Sequence, residues 1–122
     1  LLPSSPAAER NILDWLRTFN TARDPSLFDR EAAAVTGFVY RDDAFADDQF
    51  MVSRFVVSCC VADATAVGLI VSWPDSLDLP LDSWVEVRGA FTAGQFKGEP
   101  SPILIADSVK PIRAPNQPYL YP

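Results

Sequence analysis

A mainly β domain with one helix at its N-terminal end is the fold class this sequence predicts, and three observations predict it. The stretch Phe50–Trp73 holds two apolar runs rich in the β-branched residues that suit a buried strand. Trp84–Phe91 alternates cleanly, with Val85, Val87 and Phe91 on one side and Glu86 and Arg88 on the other. Turn signals recur at short intervals, and only residues 74–83 leave room for a helical crossover between strands.

Taken in order, Ser5 and Pro6 offer a helix start, Ser5 as the cap and Pro6 at the first helical position, where a missing N–H costs nothing. Ile12, Trp15, Leu16 and Phe19 then recur at the spacing of one helical face, which predicts an amphipathic helix over residues 6–21. Asp24-Pro25 ends it and caps a short turn through Leu27 and Phe28. The first strand is expected over Ala32–Arg41, with a bulge or sharp coil at Gly37. Residues 41–49 carry four aspartates in a polar hairpin loop. They lack the Asp-x-Asp-x-Asp-Gly pattern and closing glutamate of a calcium loop.

Phe50–Cys60 and Ala66–Trp73 are the second and third expected strands, Trp84–Phe91 the fourth and Pro102–Ile112 the fifth. Gly94, Gly98, Pro100 and Pro102 predict a long turn over Thr92–Pro102. The proline- and tyrosine-rich end should be extended, lying along the domain or hanging free. Five such strands suggest a five-stranded OB-type Greek-key barrel with an N-terminal amphipathic helix; a β-sandwich would need seven strands, which are hard to find here. The expected division is residues 1–29 for the helix and turn, 30–113 for the barrel and 114–122 for the tail.

With 122 residues, 48% of them hydrophobic and 21% charged, the chain has the size and composition of one ordinary folded domain. Ten basic residues against sixteen acidic ones leave a formal charge of −6, and the basic residues are scattered singly. That balance disfavours a non-specific grip on nucleic acid or an anionic membrane surface. Histidine is absent, which excludes a His base for any nucleophile and an imidazole ligand for any metal. No apolar run reaches the 18 residues of a membrane span, no signal-peptide pattern opens the chain, and Leu1 in place of a start methionine suggests a processed or excised piece.

The sharpest chemical candidate is Cys59-Cys60 followed by Asp63. Neighbours on an extended strand point to opposite faces, so the pair cannot face one metal unless the strand has already turned. A disulfide between adjacent residues is strained, because their α-carbons lie only ~3.8 Å apart. One reading packs one thiol in the core and leaves the other near the barrel end. Another places both in a turn over Ser58–Ala64, where Cys59, Cys60 and Asp63 bind zinc or copper with the set completed by water or another chain. A third is a reactive thiol in a thiol-dependent enzyme or redox protein, with only Arg54 or a helix end to activate it. Where the second strand ends decides among them. Asp63 is also suited to capping a turn, and Arg54 to a structural ion pair or an anion contact. Trp73, Trp84, Phe38, Phe55 and Tyr40 are core candidates, or else the stacking platform of a single-strand nucleic-acid binder, which the acidic charge disfavours.

Ser53-Arg-Phe-Val-Val-Ser-Cys-Cys-Val-Ala-Asp-Ala64, flanked by Thr36-Gly-Phe-Val-Tyr40 and Trp84-Val-Glu-Val-Arg-Gly89, resembles the C-terminal soluble domain of a poorly characterised bacterial family. Its members are small membrane proteins with hydrophobic spans ahead of the domain, often encoded beside a permease. The Arg-Phe-x-x-x-Cys-Cys-x-x-Asp-Ala core is the specific part, and Val61 departs from an alanine in the pattern. The resemblance covers about residues 30–113 and the Pro118-Tyr119 region. It implies a non-catalytic accessory or interaction domain, soluble in itself and tethered to the cell membrane by spans absent here. A permease or other membrane protein would be its partner, and Cys59, Cys60 and Asp63 its motif residues for metal handling.

Overall fold

Helix α1 (Ile12–Ala22) begins where two side chains cap each other. The Asp14 N–H donates to Asn11 Oδ1 at 2.9 Å and the Asn11 N–H to Asp14 Oδ2 at 3.1 Å, which satisfies two donors of the first turn reciprocally. The computed structural model describes residues 10–22, 24–59 and 61–121, so the expected start at Ser5-Pro6 lies outside the described residues. Arg10 and Asn11 are not helical, however, and the apolar stripe starts its helix at Ile12 rather than at residue 6. Ile12 and Trp15 are fully buried, and the Trp15 ring meets Phe91 edge-on at 4.8 Å. Asp24 accepts from the Ser26 N–H at 3.0 Å and so opens the 3₁₀ turn Pro25–Phe28, as its position before proline predicts. Phe28 then joins Phe19 and Phe91 in the same aromatic cluster.

The described residues form a mainly β domain: one mixed six-stranded sheet and one α-helix. The strands are β1 (Ala32–Tyr40), β2 (Gln49–Val56), β3 (Thr65–Ser72), β4 (Trp84–Phe96), β5 (Glu99–Ile112) and β6 (Tyr119–Leu120). Their order is β1-β4-β5-β3-β2-β6, and β1 also pairs with β2, so the pairings of the first five strands run round in a ring. All neighbours are antiparallel except β3 with β5 and β2 with β6. Alternation puts Val35, Val39, Phe50, Val52, Leu69, Val71, Val85, Val87, Phe91 and Leu104 in one core, which α1 covers from the side of β2 and β3.

Three expectations about strand limits are corrected. Gly37 is not a bulge: the β1–β4 register runs through it unbroken, and a Cβ there would come within 2.5 Å of the Ser53 carbonyl oxygen. The glycine is required by the close approach of β1 to β2. The bulge lies instead at Arg88/Gly89, opposite which Asp107 is the extra residue of β5. The second strand stops at Val56, four residues short of the expected Cys60.

Nor is Thr92–Pro102 a long turn. β4 continues to Phe96, β5 starts at Glu99, and Lys97-Gly98, with φ of 56° and 79°, make a two-residue hairpin turn of the kind that needs two positive φ values. Such a turn makes Phe96 and Glu99 a hydrogen-bonding pair, so by alternation the backbone nitrogens of Pro100 and Pro102 face away from β4. On that side β5 has no neighbour until β3 joins it at Ile103, and the missing N–H groups break no ladder. Residues 93–102 therefore form a two-stranded arm beyond the ring. At its tip Phe96 reaches Phe45 of the β1–β2 loop, ring centroids 4.8 Å apart.

Candidate functional site

The end of β2 is where the ring opens. β1 pairs with β2 only from Phe38↔Ser53 to Tyr40↔Met51; beyond that the two strands part, and the chain's last segment enters, pairing Tyr119 and Leu120 in parallel with Phe55 and Val56. The Val57 N–H donates to the Leu120 carbonyl at 2.9 Å and extends this contact by one residue. Arg54 holds the parting together. It is only 7% exposed, and its guanidinium donates to the carbonyl oxygens of Pro118 (3.0 Å), Thr36 (3.2 Å) and Gln117 (3.2 Å). One planar fork thus satisfies carbonyls on both sides of the gap. The structural ion pair expected for Arg54 is not what forms: among the described residues its side-chain partners are these three backbone oxygens and the Trp84 ring, 5.3 Å from its centre. Burial lowers its pKa from the usual arginine value.

Over this junction lies an open recess of about 310 Å³ lined by Phe38, Phe55, Asp82, Trp84, Pro118 and Tyr119. Strand register builds it. Phe38 faces Trp84 across β1 and β4, Phe55 faces Tyr119 across β2 and β6, and the rings of Phe38 and Phe55 stack at 5.2 Å with 25° between their planes. Phe38 and Trp84 meet edge-on at 5.9 Å. Phe55 is 39% exposed and the other two rings are half-buried, so these three aromatics do not belong to the core. Two other members of the expected stacking set lie elsewhere. Trp73 packs against the core, and Tyr40 turns toward the β1–β2 loop, where its hydroxyl donates to Asp42 Oδ2 at 2.8 Å.

Asp82, Pro118 and Tyr119 are contributors that the sequence did not single out for this site. Asp82 precedes the fourth strand and reads as an ordinary loop residue. Its φ of 67° and its N–H bond to the Val39 carbonyl at 2.9 Å appear only when β1 and the residue 80–83 turn are side by side.

Cys59 is exposed in the bend that follows β2, which removes the reading of this thiol as core. β2 has ended at Val56, so Cys59 lies beyond the strand and its alternation. Cys60 lies outside the described residues. The Cys59 thiol donates to the Asp63 carboxylate, and Asp63 is the last residue of the 3₁₀ turn Val61–Asp63. The short turn thus brings together two of the three motif residues. Among the described residues no group of three or more His, Cys, Asp or Glu side chains is gathered as metal ligands. In the β1–β2 loop Asp42 serves the turn itself: its Oδ1 accepts from the Ala44 N–H at 2.9 Å.

Fold and site together define a small mixed-sheet β domain with an aromatic recess at the junction of its final strand. The family described as the DUF1980 C-terminal domain matches residues 7–122, and the chain belongs to that family. It is similar to UPF0703 protein YcgQ of Bacillus subtilis (strain 168), 27% identical over 111 residues. The aligned part is 88% of this chain but 39% of YcgQ, so the chain spans well under half the length of that relative. No helix among the described residues is long and apolar enough to cross a membrane.

Proposed function

We propose that this chain is a non-catalytic interaction domain of a longer, membrane-tethered protein that works beside a permease, and that it meets its partner through the aromatic recess. The observation that carries the reading is the clustering of Phe38, Phe55 and Trp84, partly exposed, with Phe38 stacked on Phe55 and edge-on to Trp84, on strands whose register fixes them. Rigid aromatic side chains around a concavity are the surface type that anchors protein and ligand contacts at low entropic cost. The tether would belong to the part of a longer chain that has no counterpart here, in keeping with the 39% coverage of YcgQ. The ring of pairings, closed by β1 with β2 and holding one parallel contact between β3 and β5, fits an OB-type Greek-key barrel.

A photo-crosslinking amino acid at Phe55, in the full-length protein in native membranes beside its neighbouring permease, tests this. A crosslink to the permease from position 55 and none from Gln95, an exposed residue of the β4–β5 arm, is expected. Equal labelling from both positions, or none from position 55, rejects the recess as the contact.

A second reading, a soft-metal site, is favoured by the contact of Cys59 with Asp63 in a turn free of strand geometry. Zinc prefers four ligands, so Cys59, Asp63 and Cys60 would leave a position for water or a partner. Titration of the reduced protein with Zn²⁺ or Cu⁺ should then show uptake that Cys59→Ser and Cys60→Ser abolish, and uptake unchanged in both variants removes this reading.

A further inference from the structure

We propose that the recess receives one alkylammonium cation, of the kind carried by a lysine side chain or a small quaternary amine. The inference rests on the reading of the recess as the partner site and names what enters it. Phe38, Phe55, Trp84 and Tyr119 line the recess with aromatic rings, whose faces carry partial negative charge. Asp82 supplies a full negative charge on the same lining. Its carboxylate makes no hydrogen bond or ion pair among the described residues, whereas its backbone is fixed by the N–H bond to Val39 and a φ of 67°. Positive φ is an uncommon conformation that an aspartate keeps only where the surrounding backbone holds it, so the carboxylate is carried to this place by the fold.

The three classes of occupant separate on these features. An anion meets Asp82 at the wall. A neutral apolar group covers the rings but strips water from the carboxylate with nothing in return. An ammonium with methyl or methylene groups satisfies both, covering the rings and pairing with Asp82, and the chain's net charge of −6 draws it in. Arg54 provides an internal precedent, since its guanidinium already lies over the Trp84 ring. Arg54 does not itself line the recess, and its N–H groups are engaged by the carbonyl oxygens of Thr36, Gln117 and Pro118.

The experiment is a titration of ¹⁵N-labelled protein, reading the Trp84 indole N–H and the amides of Phe55 and Asp82. The titrants are tetramethylammonium chloride, Nα-acetyl-lysine N-methylamide and the neutral isostere 3,3-dimethylbutan-1-ol, against a sodium chloride control. Saturable shifts at these positions with a cation, weakened about fivefold in Asp82→Asn, are expected. Asparagine tolerates the same positive φ, so this variant keeps the fold while losing the charge. Phe55→Leu, at an exposed position, should weaken the cation as well. Tighter binding of tetramethylammonium than of the lysine amide assigns a small quaternary amine, and the reverse order assigns a lysine of a partner. Equal binding of the neutral isostere, unchanged in Asp82→Asn, overturns the cation and leaves the recess as a binding site. No saturable shift with any titrant overturns it too, and the crosslinking from position 55 then decides the partner reading separately.

Discussion

Among the described residues, Arg54 ties three backbone carbonyls on two separate segments to one side chain. A lysine in its place keeps the charge but carries its three donors on a single nitrogen, which cannot span the Thr36 carbonyl on β1 and the Gln117 and Pro118 carbonyls across the gap, so Arg54→Lys leaves buried acceptors without partners. The expected cost is about 1.5–3 kcal/mol in chemical denaturation. Its signature is faster hydrogen exchange of the Val57 N–H, which is bonded to Leu120; exchange there at the native rate would show that the final strand holds without the fork. The Tyr40–Asp42 pair responds to pH instead. The Ala44 N–H, and then the Tyr40 hydroxyl, hold Asp42 below its ordinary 3.8, while the bond to Asp42 and its charge raise Tyr40 above its ordinary 10.0. The stabilisation from Asp42 is therefore present above pH 3.8 and lost as pH falls through its lower folded value. That from Tyr40 is present below pH 10.0 and lost as pH rises through its higher one. Asp42→Ala should bring the ionisation of Tyr40 to lower pH, as followed by phenolate absorbance. At this scale the sequence displayed three of the recess aromatics, Phe38, Phe55 and Trp84, in a set that also held Trp73 and Tyr40, and it displayed the unusual arginine. It could not show their partners, because the three carbonyls bound by Arg54 belong to residues 18, 63 and 64 positions away.

Among the elements, the clean alternation of Val85, Val87 and Phe91 was legible because β4 buries one face only. The β4–β5 arm was not. Gly94, Gly98, Pro100 and Pro102 are strong turn signals when read locally, and only the pairing shows that one glycine lies in the turn while both prolines occupy outward-facing ladder positions. The end of β2 is hidden from a local reading for a related reason. The run through Val57 and Cys59 is apolar enough for a strand, but β6 takes over the edge there and the chain bends. Two glycines allow a direct comparison of close approaches. A Cβ on Gly89 would lie 2.0 Å from the Ile105 carbonyl oxygen, a backbone atom at the bulge, whereas at Gly94 it would meet the Ile103 side chain at 2.7 Å. Gly89→Ala should cost about 3 kcal/mol or more in denaturant unfolding, and Gly94→Ala clearly less, because a side chain can turn away where a paired backbone cannot. Equal losses would show that the arm is packed as tightly as the ring.

For the whole molecule, the mainly β class with one docked helix follows from local pattern, while the closing contact between β1 and β2 and the parallel β3–β5 pairing are decisions of topology that no local window contains. The cysteine turn was legible as a motif, and its separation from strand geometry was not. The short final strand has one more consequence. At Phe55 and Val56 the second strand would otherwise present bare backbone donors and acceptors beside an exposed aromatic ring, the combination that invites another chain to add itself. Two residues of pairing act here as a guard against self-association. Removing residues 117–122 should make light scattering grow more steeply with concentration than in the intact chain, and Phe55→Asp should reverse that growth in the shortened chain.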